Sequence, residues 1–419
     1  MVTRLSDTLQ TRIFRSRLSI GLAAVFCVTV PLHADDWPRW RGPNLNGLSH
    51  EKEWLSQWPK EGPPIAWKAS VGTGYAAVSV SGDRLFTAGN DEENDTVFCL
   101  DATSGKQLWK HSYASDLGDK FFDGGPTATP TVDGEFVYAL SRWGDLFCFE
   151  KAAGKIRWSK NVQRETGLRI PGWGFASSPF VHEELLLLNV GEAGLAVEKQ
   201  NGRVVWKSAN RDAGYSTAVP FQRGKEGFAI LANSKAYFAV NLRTGQELWQ
   251  FPWLTSFGVN AADAILSGDY CLISSGYGKG AALLKMGEGE PTVVWQNREL
   301  RNQFNSSVLW NGFVYGIDGD TTSSAALKCL QFKTGQVKWA EEGIGSGALM
   351  AADGKLIVLS ERGELIVAPA SPESFKPTAR AQVLGGTCWT VPVLANGRIY
   401  ARNSTGDLVC VDVRPKKST

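Results

Sequence analysis

Signatures of several common protein classes are missing from this sequence of 419 residues. It has only 3 methionines and few stretches with the 3.6-residue apolar period of an amphipathic helix, which argues against a helical bundle. Its apolar run at residues 18–32 is too short to cross a bilayer comfortably. There is no nucleophile elbow, phosphate-binding loop or zinc-ribbon motif, so none of these chemistries is indicated.

Histidine and net charge are also scarce. The three histidines beyond residue 34 are His50, His111 and His182, and their wide separation shows no metal-ligand spacing. Residues 1–34 carry a net charge of +3, whereas the whole chain carries +2, so the remainder is close to −1. Without a basic surface the sequence gives no indication of a nucleic-acid partner.

The N-terminus has the pattern of a secretory signal peptide. Four arginines precede the apolar run, and Leu32, His33 and Ala34 then offer a cleavage site. We therefore expect a signal peptide over residues 1–34, cleaved after Ala34, and a periplasmic or secreted protein with no integral membrane segment. An N-terminal anchor that is not cleaved is the alternative.

Tryptophan and glycine are abundant instead, with 16 and 45 copies, and they occur in a repeat. Successive repeat tryptophans lie 43 to 49 residues apart, a period typical of four-stranded propeller blades. The looser copy Gly289–Trp295 is counted among them. Five segments match a strict Gly-[Lys/Arg/Gln]-x-x-Trp pattern: Gly105–Trp109, Gly154–Trp158, Gly202–Trp206, Gly245–Trp249 and Gly335–Trp339.

Eight hairpin signals, several of them Asp-Gly or Asn-Gly, predict eight such units, and in six of them a run of small residues precedes the first strand. The seventh unit has no tryptophan, and the eighth ends at Val413 after three strands. Residues 65–68, with Trp67 in phase, supply the missing strand and close the ring. We therefore predict an all-β, eight-bladed propeller of four-stranded antiparallel blades over residues 64–413, with an N-terminal arm (35–63) and a tail (414–419).

Six cysteines remain beyond the predicted signal peptide. Four of them occupy one position of the third strand, where other units have alanine, so we expect them to pack as small apolar side chains. They are Cys99, Cys148, Cys329 and Cys410. Cys271 and Cys388 do not occupy this position of the repeat, and a disulfide bond between them remains an alternative.

The segments Asp101–Trp109 and Asn241–Trp249 resemble the pyrroloquinoline-quinone (PQQ) repeat, and the resemblance covers roughly residues 64–413. The segment Asp36–Pro43 is similar to the arm of secreted, planctomycete-type members. The resemblance implies two functional classes: PQQ-dependent alcohol or sugar dehydrogenases, and binding scaffolds such as outer-membrane assembly factors. The dehydrogenases generally have adjacent cysteines beside the quinone and a set of Ca²⁺ ligands.

No two cysteines are adjacent here, and no cytochrome Cys-x-x-Cys-His occurs. We therefore expect a monomeric extracytoplasmic scaffold, binding an unknown protein or small molecule without catalytic residues. A dehydrogenase using PQQ and Ca²⁺ is the alternative, and a carbohydrate-binding propeller is a third interpretation, suggested by aromatic residues outside the repeat.

Loops that enter the inner strands crowd one mouth of a propeller channel, so a ligand site is expected there. Trp173 and Trp389 do not occupy the tryptophan position of the repeat, which makes them candidates for ligand contact. The alternative is that they cap the channel. The oxygens of Asn260, Asp263 and Asn305 could contribute to a cation site, but they are too few for one by themselves. The candidate ligand-binding residues are Trp173, Tyr215, Asn260, Asp263, Arg301, Asn305 and Trp389.

Overall fold

A computed structural model describes residues 36–59, 61–321 and 324–415. The predicted signal peptide and the end of the tail lie outside the described residues. The described chain contains one short helix, α1 (Val162–Thr166), and is otherwise built from strands. None of its helices is long and apolar enough to span a membrane.

The described residues form eight sheets, the blades of a propeller, which confirms the predicted fold. Two strands precede the regular order, β1 (Leu48–Ser49) and β2 (Ile65–Ser70). From inner to outer strand, blade 1 contains β3 (Ser79–Ser81), β4 (Arg84–Asp91), β5 (Asn94–Asp101) and β6 (Gln107–Ala114), and blade 2 contains β7 (Thr131–Asp133), β8 (Phe136–Leu140), β9 (Asp145–Glu150) and β10 (Ile156–Asn161). In the same order, blade 3 contains β11 (Phe180–His182), β12 (Leu185–Leu188), β13 (Leu195–Glu198) and β14 (Val204–Lys207), and blade 4 contains β15 (Val219–Arg223), β16 (Glu226–Ala232), β17 (Ala236–Asn241) and β18 (Glu247–Pro252).

Blades 5 to 8 repeat the same antiparallel order, and β1 adds a fifth strand to blade 7, parallel to its inner strand. Blade 5 contains β19 (Ile265–Ser267), β20 (Tyr270–Ser275), β21 (Gly280–Lys285) and β22 (Thr292–Asn297), and blade 6 contains β23 (Val308–Trp310), β24 (Phe313–Asp318), β25 (Ala326–Gln331) and β26 (Val337–Glu341). Blade 7 contains β27 (Ala348–Ala352), β28 (Lys355–Leu359), β29 (Glu364–Pro369) and β30 (Ala379–Gln382), and blade 8 contains β31 (Val393–Ala395), β32 (Arg398–Arg402) and β33 (Asp407–Asp412).

Ring closure uses both ends of the chain, as predicted. Strand β2 pairs antiparallel with β33, so that Trp67 lies opposite Cys410 and becomes part of the outer strand of blade 8. Because every sheet then has a neighbouring blade on each side, no blade terminates the array.

The repeat tryptophans join one blade to the next at most junctions of the ring. Trp109 of blade 1 donates its indole Nε1–H to the Lys151 carbonyl of blade 2 at 3.0 Å. The glycine of the receiving turn lies against the indole face, since a Cβ on Gly154 would come within 2.5 Å of the Trp109 ring. Gly154 also has φ +68°, a conformation that side chains disfavour. The repeat therefore needs glycine for two reasons, backbone conformation and close ring contact.

The four in-phase cysteines lie opposite this tryptophan position. Cys99 pairs with Trp109 and Cys148 with Trp158, and all four are buried and free. Cys271 and Cys388 are likewise buried and free, so the bridge that the sequence left open is not formed.

The junction between blades 7 and 8 is built differently, because Ala379 stands where the other blades have tryptophan. The N-terminal arm fills this place. Trp54 is only 6% exposed and belongs to the same apolar cluster as Ala379. The carbonyl of Val413, which directly follows the third strand as Lys151 does in blade 2, accepts the Leu55 N–H at 2.6 Å. The arm therefore supplies the contact that the seventh blade lacks.

The rest of the arm runs along one end of the inner strands, called here the arm face. Trp37 forms an antiparallel bridge with Val80, and the Pro38 carbonyl accepts the Val132 N–H at 2.7 Å. Asp36 accepts the Gly82 N–H in the first hairpin of blade 1. The loops that enter the inner strands lie at the opposite end, called here the loop face.

Candidate functional site

A belt of side-chain hydrogen bonds links blades 1 to 6 around the channel, just before the inner strands. In each link, a backbone N–H of one blade donates to the side-chain oxygen at the equivalent position of the next. The links are Ala77 to Thr129 (3.0 Å), Thr129 to Ser178 (2.9 Å), Ser178 to Thr217 (3.1 Å), Thr217 to Asp263 (2.7 Å) and Asp263 to Ser306 (2.8 Å). The accepting residues are at most 5% exposed, so these side chains are packed between neighbouring blades.

Asp263 is the carboxylate of this hydroxyl belt, and the arm contacts it directly. Trp40 donates its indole Nε1–H to Asp263 Oδ2 at 2.6 Å, and Arg41 Nε lies 3.7 Å from the same oxygen. Burial raises the pKa of Asp263 and lowers the pKa of Arg41, while their mutual attraction opposes both shifts. The carboxylate thus anchors the arm under the channel.

The other polar candidates also have protein partners. Asn260 donates to the carbonyls of Asn233 (2.8 Å) and Trp253 (3.0 Å). Asn305 donates to the Gly347 carbonyl at 2.8 Å. Arg301 makes a two-pronged ion pair with Asp318, with Nε and Nη2 at 2.8 and 2.9 Å from its oxygens. These contacts hold loops in place.

No group of three or more His, Cys, Asp or Glu side chains in the described ranges is placed to hold a metal ion. Ca²⁺ requires six or more oxygen ligands, several of them usually carboxylates. The residues present therefore do not fit the Ca²⁺ site that the dehydrogenase resemblance implies.

Aromatic residues surround the loop-face mouth. Within the described ranges, seven of the eight loops that enter inner strands contribute one, and the loop into blade 7 contributes Gly343, Gly345 and Gly347 instead. We call the seven residues the aromatic rim: Tyr75, Phe122, Trp173, Tyr215, Phe257, Phe304 and Trp389.

Four members of the rim are in contact and form the aromatic wall: Phe304, Trp389, Tyr75 and Phe122. Their successive ring centroids are 5.1, 5.5 and 5.7 Å apart, and the Trp389 and Tyr75 rings are only 20° from parallel. Each of these four residues comes from a different loop. The wall is consequently a surface that only the closed ring assembles.

Two carboxylates border the wall. Tyr75 donates its hydroxyl to Asp123 Oδ2 at 3.0 Å, and Trp389 donates its indole Nε1–H to Glu361 Oε1 at 3.0 Å. Burial and the nearby Asp123 charge raise the pKa of the Tyr75 hydroxyl well above its usual range. Tyr75 therefore remains a neutral donor at neutral pH.

The opposite side of the mouth carries the apolar ridge, defined as Leu254, Phe257 and Tyr277. Leu254 and Phe257 are 61% and 62% exposed, and the Phe257 ring meets the Tyr277 ring edge-on at 4.9 Å. Trp173 and Tyr215 form a second edge-on pair at 6.0 Å. Burial raises the pKa of Tyr215 to about 12, so this phenol is also neutral.

The structure thus separates the predicted site residues into two sets. Trp173, Tyr215 and Trp389 lie in the aromatic rim. Asp263 belongs to the belt and holds the arm, whereas Asn260, Arg301 and Asn305 hold loops in place. Sequence reasoning missed Tyr75, Phe257 and Phe304. A usable signal existed for two of them, because Tyr75 and Phe304 lie two residues before belt positions, as Tyr215 does.

Together, these features define a PQQ-repeat propeller with an aromatic mouth. Residues 52–129 and 93–341 match the family model described as "Outer membrane protein assembly factor BamB", and the chain belongs to this family.

Outer membrane protein assembly factor BamB of Burkholderia pseudomallei is 29% identical over 207 residues, which is 48% of either chain. The match therefore spans about half the length of this relative. Among solved structures, BamB from Moraxella catarrhalis superimposes with a TM-score of 0.63 at 14% identity, over 84% of this chain and 99% of that one. A europium-containing methanol dehydrogenase gives 0.68 at 11% identity, over 90% and 89%. At such identities both likenesses show the fold alone.

Proposed function

We propose that this protein is an extracytoplasmic scaffold, periplasmic or secreted, that binds a partner protein on its loop face and has no catalytic site of its own. The observation that carries the proposal is the apolar ridge, whose Leu254 and Phe257 expose most of their side chains. Exposed aromatic residues beside a polar rim are typical of protein-binding surfaces.

The two ends of the propeller support the same choice of face. On the arm face, Trp37 is buried and Trp40 is hydrogen-bonded to Asp263, so these aromatic side chains are already occupied. On the loop face, Phe121 (85% exposed) and Phe257 have little protein around them. Family membership adds that relatives are named as assembly factors for outer membrane proteins.

A photo-crosslinking amino acid at position 257, in the full chain within its native cell envelope, tests the proposal. We expect one specific protein adduct, identified by mass spectrometry, and no adduct from the same amino acid at Lys225, an exposed position in a hairpin of the arm face. Equal labelling from both positions, or dye-linked alcohol oxidation after addition of PQQ and Ca²⁺, would contradict it.

The ridge can then be tested with the identified partner. Leu254→Ser combined with Phe257→Ser should weaken binding by about 2 kcal/mol, roughly 30-fold, as loss of an interface hot spot does. Because both side chains are exposed, the unfolding midpoint should not change. Unaltered affinity would place the partner elsewhere.

A further inference from the structure

The apolar ridge packs against a turn of blade 4 that carries an exposed cation. Gly258 directly follows Phe257, and a Cβ on this glycine would come within 3.2 Å of the Ser234 Cβ. The Trp253 N–H donates to the Lys235 carbonyl at 2.7 Å. These contacts place the exposed Lys235 beside the loop that presents the ridge.

Two further cations lie on the blade 5 side of the ridge. Lys279 belongs to the same turn as Tyr277, and its Nζ lies 4.4 Å from the centroid of the Trp253 ring. The next residue, Gly280, packs on the backbone of Arg298, because a Cβ there would come within 2.8 Å of the Arg298 Cα. We call Lys235, Lys279 and Arg298 the basic border of the ridge.

The basic border has no carboxylate partner. In the part of the chain that the structure describes, none of its three side chains forms an ion pair, although other loop-face cations do. Burial and the nearby Arg298 charge lower the pKa of Lys279. The free protein therefore holds two like charges close together without an opposite charge between them.

The carboxylates near these turns have partners of their own. Asp212 lies 3.4 Å from Arg169 Nε, and Glu299 Oε2 lies 3.5 Å from Lys328 Nζ. Asp320 is only 3% exposed and accepts a backbone N–H of the blade 5 turn at 3.0 Å. The positive charge of the border is consequently available to an external group.

An occupant of this surface has to match both of its properties. Apolar side chains are needed to cover Leu254 and Phe257, which are more than half exposed. A carboxylate placed at Lys279 and Arg298 would relieve their mutual repulsion, and hydrogen bonds between oppositely charged groups are the stronger kind. Acidic residues interspersed with apolar ones meet both requirements.

A lipid surface fits less well. Recognition of anionic lipids typically uses clusters of roughly 4–8 Lys and Arg side chains, more than the border provides. The chain beyond residue 34 also carries a net charge close to −1, so it has no general attraction to an anionic membrane. The observations therefore favour a protein segment.

We propose that the apolar ridge and the basic border together bind an acidic, apolar segment of the partner protein. The inference rests on the proposed function, since it names the chemistry of the partner at the same face. Apolar side chains of the segment pack on Leu254 and Phe257, and its Asp or Glu side chains pair with Lys279 and Arg298. Lys235 offers a third cation at the other side of the ridge.

Selection from a phage-displayed library of random peptides tests this, with the full mature chain as bait and the Leu254→Ser, Phe257→Ser double variant for counter-selection. We expect ridge-dependent peptides enriched in Asp and Glu together with Leu or aromatic residues. Ridge-dependent peptides without acidic residues would overturn the inference and leave the ridge as a docking surface. If no peptide depends on the ridge, the inference also fails, and crosslinking at position 257 decides the proposed function separately.

Variants of the border then test the charges, with an enriched peptide followed by fluorescence anisotropy. Lys279→Gln combined with Arg298→Gln should weaken binding about tenfold at low salt, and the loss should shrink at high salt, where charges are screened. Arg298→Gln alone alters only an exposed side chain and should weaken binding severalfold with an unchanged unfolding midpoint. Lys225→Gln on the arm face is the matched control and should have no effect. Salt-independent affinity, or an equal loss from the control, would contradict the proposal.

Two further measurements separate the alternatives. The peptide with lysine in place of its acidic residues should bind the Lys279→Glu, Arg298→Glu variant more tightly than the native chain, because the charges are exchanged. Vesicles of phosphatidylethanolamine and phosphatidylglycerol in equal amounts should not sediment the native chain. Sedimentation that the two glutamine substitutions abolish would assign the border to a membrane surface and overturn the proposal.

Discussion

Two kinds of blade junction can be compared within this ring. Between blades 1 and 2, and at five other junctions of the described chain, an indole Nε1–H donates to a backbone carbonyl of the next blade. The donors are Trp67, Trp109, Trp158, Trp206, Trp295 and Trp339. Between blades 7 and 8 the donor is instead the Leu55 backbone N–H, and Trp54 fills the space beside Ala379. The same gap can thus be closed by a segment more than 300 residues away in sequence.

The junction between blades 4 and 5 is intermediate. Trp249 is only 2% exposed, more deeply buried than the other junction tryptophans, but its indole N–H has no hydrogen-bond partner. The receiving turn of blade 5 is the looser repeat, in which Gly289 has nothing within 4 Å of a would-be Cβ. Packing and hydrogen bonding are therefore separable parts of the junction, and three sets of substitutions test how much each contributes.

The largest effect is expected at a regular junction. Trp109→Ala should lower the free energy of unfolding by about 3–5 kcal/mol, because Trp109 is only 8% exposed and its loss leaves a cavity against Gly154 and an unpaired Lys151 carbonyl. Urea denaturation followed by fluorescence measures this. Trp143→Ala, a half-exposed tryptophan outside the blade phase, should cost about 1 kcal/mol. Equal losses would mean that the repeat tryptophans do not carry the junctions.

Trp54→Ala should remove about 3 kcal/mol, since it empties the same kind of site from the arm side. The loss should be local, with faster hydrogen exchange in β29, β30 and β33 than in blades 2 to 4. Ala379→Trp should destabilise the unaltered chain by about 1–3 kcal/mol through overpacking. In the Trp54→Ala background it should instead restore stability. Additive losses in the double variant would show that Trp54 does not occupy the missing tryptophan's place.

The smallest effect isolates the hydrogen bond. Trp109→Phe loses both apolar contact and the bond to Lys151, whereas Trp249→Phe loses contact alone and removes a buried unpaired N–H. Trp109→Phe should therefore be more destabilising by about 1 kcal/mol, measured by the same denaturation. Identical values for the two variants would assign the whole junction energy to packing.

The blade number, the ring closure through Trp67 and the role of the in-phase cysteines could be predicted, because each repeats a local pattern at a fixed period. The place of Trp54 and Leu55 at the junction between blades 7 and 8 could not be predicted. These two residues belong to a non-repeating arm, and only three-dimensional folding brings them to Ala379 and Val413. The seventh repeat did show a missing tryptophan, but nothing local to it pointed to the arm.

The candidate site was predictable in part for the same reason. Trp173 and Trp389 stood out because they interrupt the repeat. Tyr75 and Phe304 did not, because they adjoin the small-residue runs that mark the inner strands. Asp263 resembled a free ligand in sequence, yet it occupies a hydroxyl position of the belt and meets Trp40, a partner 223 residues away.

Pairing of β2 with β33 also sets an order of events during biosynthesis. Residues 65–70 are among the first of the propeller to be made, but their partner, residues 407–412, is nearly the last. At about 5–20 residues per second, ribosomal synthesis separates the two by roughly 20–70 seconds. Throughout that interval β2 has no strand partner, and the aromatic wall, drawn from loops at both ends of the propeller sequence, is incomplete. A product truncated before residue 389 would consequently lack Trp389, whose ring contacts both Phe304 and Tyr75 in the wall.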